Sequence, residues 1–352
     1  MIDVDSYGFG RQMKVKRKMI VKRLTVNVIE TMDLTKKFGR LTAVDSVNIK
    51  VEQGEIFGLL GPNGAGKSTI ISMLCTILKP TSGTALVNGY DIVRQPSLVR
   101  KSIGIVFQDT SVDDRLTGRE NLEMHADLYD VPKSEMKSQI DKVLELVELS
   151  DRSNDFVRNY SSGMRRRLEI ARSLVHTPKV LFLDEPTIGL DPQSRDHIWS
   201  YIRELLKNED VTIILTTHYM EEADKLCKKI AIVDHGQIVA MDTPESLKEK
   251  LGGETITVKT RNNSLYMEKI KESNIAKGVA IAGDEVKITV DNAHTILYYV
   301  VDTASRNGIV IESISIQEPQ LDEVFLHYTG RALREGGKEL SGMGAIRRRQ
   351  IK

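Results

Sequence analysis

The chain has 352 residues, 40% of them hydrophobic and 28% charged, enough for two or three ordinary domains and outside the collagen-like, low-complexity and wholly disordered classes. Its net charge of +1 hides a basic first 30 residues (+4), a basic last stretch from residue 331 (+5) and an acidic body between them (−8), and an acidic body does not make a nucleic-acid platform. No apolar run reaches the roughly 18 residues of a membrane helix, so work at a membrane requires another chain to span it.

Residues 1–25 read as a basic, flexible extension and 331–352 as a basic, flexible tail. No apolar segment of signal-peptide type opens the sequence. Strand-like text begins at Val26. Val47, Ile49 and Val51 alternate, Gln53-Gly54 turns, and Glu55–Leu60 reads as a fully apolar strand. The spacing of Ile70, Ile71, Leu74 and Ile77 predicts a helix over 67–78, with Cys75 in its packing. Cys75 and Cys227 stand far apart in no metal-like spacing, which suits a reducing cytosol.

Between 115 and 160, Leu122, Ala126 and Tyr129, then Ile140, Val143, Leu144 and Val147, repeat at helical spacing, so a helical insertion is expected. Afterwards the pattern alternates: strand Val180–Asp184, helix 194–207, strand 211–216, helix 219–227, strand 230–233, a turn at Gly236 and a hairpin strand Ile238–Met241. That alternation predicts a mostly parallel sheet covered by helices. A second unit is expected after Leu251-Gly252-Gly253: strand 254–260, helix 264–273, strands 277–282 and 285–290 joined by a Gly283-Asp284 turn, helix 293–307 and strand 309–316. This β-α-β-β-α-β order is ferredoxin-like. A helix over 320–330 is expected to close it. The unit gathers no catalytic residue types and reads as a packing or dimerisation module.

The chemistry gathers in the first 250 residues. Gly61-Pro62-Asn63-Gly64-Ala65-Gly66-Lys67-Ser68-Thr69 fits G-x-x-x-x-G-K-[ST] between a strand and a helix. Glycines at these positions let backbone N–H groups turn toward phosphates, and the helix N-terminus adds partial positive charge. Lys67 would reach the β- and γ-phosphates, and the Ser68 hydroxyl would ligate magnesium. Asp184-Glu185 ends an apolar strand at the edge where α/β sheets bind ligands. One carboxylate there can hold magnesium through water while the next polarises an attacking water. His218 follows the next strand in the same manner.

Together these residues resemble the ATP-binding subunits of ABC transporters over about residues 30–250. Phe38 matches the aromatic that stacks on adenine, Gly61–Thr69 the Walker A loop, and Gln108 the glutamine that touches magnesium and relays to the membrane partner. Ser161-Ser162-Gly163-Met164 occupies the signature position, with Ser161 and Gly163 retained and Ser162 and Met164 departing from the usual glycine and glutamine. Asp184 and Glu185 match Walker B, Asp191 the D-loop and His218 the switch histidine. The Met-Arg-Arg-Arg run at 164–167 and Glu318-Pro-Gln-Leu-Asp-Glu-Val-Phe325 resemble the daunorubicin-resistance-type exporter branch.

The resemblance implies an α/β fold: a P-loop ABC cassette over 26–250, its helical subdomain near 115–178, then a small α+β ferredoxin-like domain over 254–330. It implies ATP and Mg2+ as cofactors, with Ser68, Gln108 and Asp184 as magnesium ligands and Lys67, Gln108, Glu185 and His218 as catalytic groups. It further implies head-to-tail pairing with a second copy or a related ATPase, a separate type-2 permease, no nucleic acid, and a place on the cytoplasmic face of the membrane. The competing expectation is a soluble ABC ATPase acting on ribosomes or DNA. Such relatives usually carry two cassettes or a long coiled coil, and this chain carries neither.

Overall fold

The computed structural model describes residues 27–208, 211–251, 253–317 and 319–330, and the basic stretches 1–25 and 331–352 lie outside them. Strands β1 (Asn27–Phe38), β2 (Leu41–Val47) and β3 (Lys50–Glu52) open the fold, with β1 pairing antiparallel to both of the others. After β4 (Ile56–Leu60) comes α1 (Lys67–Leu74), which ends four residues short of the helix expected from the apolar spacing. The cause is a Schellman closure: Thr76 sits at φ +63°, its N–H donates to Met73 O at 3.0 Å, and Ile77 N–H donates to Ser72 O at 2.9 Å. Ile77 is thereby turned outward and exposed, while Ile70, Ile71, Leu74 and Cys75 are buried.

β5 (Ser82–Val87) and β6 (Tyr90–Asp91) complete the antiparallel sheet. α2 (Pro96–Ser102) and β7 (Ile103–Val106) precede the helical insertion, α3 (Gly118–Leu128), α4 (Lys133–Leu146) and α5 (Ser162–Leu174). α3 starts with a reciprocal capping box, Thr117 Oγ1 accepting from Glu120 N and Glu120 Oε2 accepting from Thr117 N. Then follow β8 (Val180–Asp184), α6 (Pro192–Asn208), β9 (Thr212–Thr217), α7 (Met220–Leu226), β10 (Lys229–Asp234), β11 (Gln237–Asp242) and α8 (Pro244–Glu249).

The central sheet runs β11-β10-β4-β9-β8-β7, parallel except for the β10–β11 hairpin. Its strands β4 and β8 are buried along their whole length because both faces are covered. Phe57, Leu59, Val180, Phe182 and Ile214 face a core shared with α1 and the antiparallel sheet. The alternate residues Ile56, Leu60, Leu181, Leu183 and Leu215 face a second core shared with the helical insertion, α6 and α7.

The remaining elements are β12 (Glu254–Thr260), α9 (Asn263–Glu272), β13 (Gly278–Ala282), β14 (Glu285–Val290), α10 (Ala293–Arg306) and β15 (Ile311–Gln317). Their antiparallel sheet is ordered β13-β14-β12-β15, the order of a split β-α-β. A separate core of Ile256, Val258, Tyr266, Ile288 and Val300 holds it. The last helix, α11 (Leu321–Thr329), departs from expectation. It does not close this sheet. Leu321, Val324 and Phe325 are buried in the core of the central sheet, against α7, α8 and β11.

Candidate functional site

The carboxyl ends of β4, β8 and β9 lie side by side, since Leu60 is opposite Thr217 and Asp184 opposite Thr216 in the parallel register. The loop after β4 must pass close to neighbouring backbone. A Cβ on Gly61 would stand 2.3 Å from Val233 O, and one on Gly66 would stand 2.5 Å from Ala43 O, with Gly66 also at φ +109°. Only glycine fits either position. α1 starts at Lys67 without a side-chain cap, so its first-turn N–H groups remain available to an anion.

Lys67 is buried and its ammonium donates to Gly61 O at 2.7 Å and Pro62 O at 3.1 Å. The same nitrogen lies 3.5 Å from Glu185 Oε1. Burial lowers the Lys67 pKa against the pull of Glu185 and Asp184, which raise it. Burial would raise the Glu185 carboxyl, but His218 and Lys67 outweigh it and the net shift is downward. His218 Nδ1 stands 3.1 Å from Glu185 Oε2, and its ring lies on that of Tyr219. Glu185 is therefore a buried, ionised carboxylate between the Lys67 ammonium and the His218 ring. Its backbone is left-handed, φ +48°, a conformation that costs a non-glycine residue about 1–2 kcal/mol.

Ser68 Oγ donates to Asp184 Oδ1 at 3.1 Å, which brings together two hard oxygen groups of the kind that magnesium takes. Sequence reasoning missed Thr216, whose Oγ1 donates to Asp184 Oδ1 and accepts from Glu185 N at 3.0 Å. The available signal was that Thr216, like Asp184, lies at the end of an apolar strand, and the register sets the two opposite each other. Also missed was Glu222, fully buried on α7, which accepts from Thr187 Oγ1 at 2.9 Å and Trp199 Nε1 at 3.0 Å.

The other expected site residues lie outside this cluster. Gln108 is exposed in the loop after β7, the strand beside β8. Phe38 is exposed at the end of β1, with the Lys36 ammonium 5.1 Å from its ring centre. Ser161 is the N-cap of α5 and accepts from Met164 N at 3.2 Å. Gly163 packs beside Ser194, which donates to Asp191, so the signature and D-loop positions adjoin. Among the described residues, no hydrogen bond or ion pair links Ser161 or Gly163 to the loop 61–69.

Residues 44–188 match the ABC transporter family, and residues 243–329 match the C-terminal domain of DrrA1-3-like ATP-binding proteins. The daunorubicin resistance ATP-binding protein DrrA2 of Streptomyces coeruleorubidus is 40% identical, over 84% of this chain and 93% of that protein. The linearmycin resistance ATP-binding protein LnrL of Bacillus subtilis is 37% identical over 88% of this chain and all of its own length. The Nod factor export ATP-binding protein I of Rhizobium etli is 34% identical over 89% and 96%. Among solved structures, cbiO1 of Clostridium perfringens, part of the ABC transporter complex cbiONQ, matches with a TM-score of 0.59 at 30% identity, covering 63% of this chain and 90% of that one.

Proposed function

The chain belongs to the ATP-binding subunits of ABC transporters, in the branch of the daunorubicin-resistance proteins, and from that membership we propose how its residues perform the family's reaction. It binds ATP and hydrolyses it to ADP and phosphate, and so powers a membrane exporter. The observation that carries the residue-level reading is the meeting of Lys67, Ser68, Asp184, Glu185 and His218 at one edge of the parallel sheet.

The loop Gly61–Thr69 wraps the phosphates, with Lys67 facing the β- and γ-phosphates and Phe38 stacking on the adenine. Ser68, Asp184 and Gln108 would hold Mg2+, whose charge would stabilise the transferring phosphoryl oxygens. Glu185 is the general base, taking the proton of the attacking water on its carboxylate. It is ionised, and so able to accept that proton, because His218 and Lys67 hold its pKa down against burial. His218 holds the carboxylate in orientation and stands beside the position of the γ-phosphate.

Ser161 and Gly163 serve a second copy or a related ATPase. α5 presents its capped N-terminus to solvent, and in a head-to-tail pair that end closes over the ATP of the other subunit. One solved relative, the ATP-binding cassette MJ0796, is described as a dimer bound to ADP and Pi, and it matches with a TM-score of 0.55 at 25% identity over 61% of this chain and 98% of that one. Among the described residues no helix is long and apolar enough to cross a membrane. In this reading a separate type-2 permease receives the motion, through the loop of Gln108 and the helical insertion, on the cytoplasmic face. Residues 26–250 carry the chemistry, and residues 254–317 adjust pairing or activity. The cargo is a drug, lipid or polysaccharide held by the permease. The relatives carry names in resistance and export, so the ribosome or DNA alternative has no support.

The test is phosphate release with MgATP by the purified chain, alone and co-purified in detergent with its permease. Turnover that rises in the complex is expected. No turnover in either preparation overturns the reading.

A further inference from the structure

One side chain gathers three successive carbonyls at the end of β8. Arg166 Nε donates to Pro186 O at 2.8 Å, and Nη2 donates to Asp184 O and Glu185 O at 3.2 Å each. Nη1 donates to Phe107 O, the carbonyl just before Gln108, at 2.5 Å, and to Glu169 Oε2 at 3.0 Å. All five N–H groups of the guanidinium are used. The side chain is buried, as is Glu169, whose second oxygen accepts from Ser111 N at 2.6 Å.

In an extended strand, neighbouring carbonyls point to opposite sides. Here they converge because Glu185 is left-handed. The same turn directs the Glu185 side chain at Lys67 and His218. Neutralising Glu169 would need only one of the five donors. The other four go to carbonyls flanking Glu185 and Gln108.

We propose that Arg166 is a positioning residue for hydrolysis that acts through Glu185, holding the left-handed turn that sets the carboxylate between Lys67 and His218. It also ties this turn to the Gln108 loop and to the helix beginning at Ser161, so the base of one ATP site moves with the signature that serves the other. The inference rests on Glu185 being the general base.

The test uses the full chain with Arg166→Lys, Glu185→Gln and the double variant, read as steady-state and single-turnover phosphate release together with MgATP affinity. Lysine keeps a positive charge opposite Glu169 but offers a point donor in place of a planar fork. The expected result for Arg166→Lys is a kcat at least tenfold lower, KM and MgATP affinity within twofold of wild type, and a further loss below twofold when Glu185 is already Gln. Arg166→Gln is run in parallel and read by the same outcomes should the lysine variant not fold. A wild-type kcat in the Arg166 variants beside a slow Glu185→Gln protein overturns this proposal and leaves the base assignment standing. An equal fold-loss in both backgrounds also overturns it, because Arg166 would then act elsewhere. Wild-type turnover by Glu185→Gln overturns the base assignment and this inference with it.

Discussion

The Lys67 ammonium and the Glu185 carboxylate stand 3.5 Å apart, both buried, so the group proposed to grip the phosphates and the group proposed to activate water are electrostatically coupled before any chemistry occurs. Substituting Lys67 by Ala removes the cation and leaves Gly61 O and Pro62 O without their donor. A charge-assisted hydrogen bond contributes about 1.5–3 kcal/mol, which is roughly a tenfold to hundredfold loss of ATP affinity. Hydrolysis should fall below detection. A fluorescent-nucleotide titration beside a phosphate-release assay measures both. Near-normal turnover would falsify the assignment of Lys67.

Glu185→Gln keeps the shape of the side chain and loses its basicity, so turnover should fall about 10²–10⁴-fold while ATP still binds. Removing the negative charge next to the γ-phosphate should also strengthen the paired state. Size-exclusion chromatography with MgATP should show a dimer that the wild type does not accumulate. The shift of this carboxyl carries a pH consequence. Its folded pKa is depressed, so its stabilisation is present above the ordinary value of 4.5 and is lost as pH falls through the lower folded value. The Gln variant should lose that part of the acid sensitivity in thermal melts.

Ser161→Arg places bulk and charge at the exposed start of α5 and also removes the cap on Met164 N, a cost of about 1 kcal/mol. Ser161→Ala removes the same cap without the bulk and serves as the control. The Arg variant should bind ATP as a monomer within about twofold of wild type and fail to form the ATP-dependent dimer. Normal dimerisation by Ser161→Arg would show that this position does not meet a partner's nucleotide.

The reacting edge was legible in the sequence because its signals are local. The glycine spacing of 61–69 and a carboxylate pair ending an apolar strand need no knowledge of tertiary contacts. Arg166 was not legible, since an arginine inside a basic helical run reads as solvated, and only the path of the loops after β7 and β8 buries it. The end of α1 was misplaced because Thr76 takes the left-handed cap position that glycine usually advertises. A helix was expected over 320–330 and lies at 321–329, but its sequence says nothing about which core receives it.

Glu222 makes an independent test of the α6–α7 contact. Burial raises its pKa, against the hydrogen bonds of Thr217, Trp199 and Thr187, which lower it. A raised folded pKa means that its ionisation penalises the fold increasingly as pH rises from 4.5 through the folded value, with the full penalty above it. Glu222→Gln retains an acceptor for Thr187 and Trp199 without the charge. It should melt at or above the wild-type temperature at pH 8 and show a flatter pH profile. A Gln variant markedly less stable than wild type at pH 8 would mean that the carboxylate is ionised and paired.

The burial of α11 sets two cores against each other. Phe325 and Val324 are fully buried in the core that also holds Leu183 and Leu215, the residues behind Asp184 and Thr216. The intervening small sheet has its own core, in which Val258 is equally buried. Phe325→Ala should cost about 3–5 kcal/mol, or roughly 6–20 °C in melting temperature for a unit of 150–250 residues. It should lower the transition that MgATP protects, because ligand stabilises only the unit that binds it. Val258→Ala should leave that transition within about 2 °C and act on the small sheet alone. Truncation after Leu251 removes Leu321, Val324 and Phe325 together, so the truncated chain should melt at least as low as Phe325→Ala. Differential scanning calorimetry with and without MgATP separates the transitions. If the truncated chain keeps the full MgATP-protected melting temperature, α11 contributes nothing to the nucleotide-binding core, and its packing there has no energetic consequence.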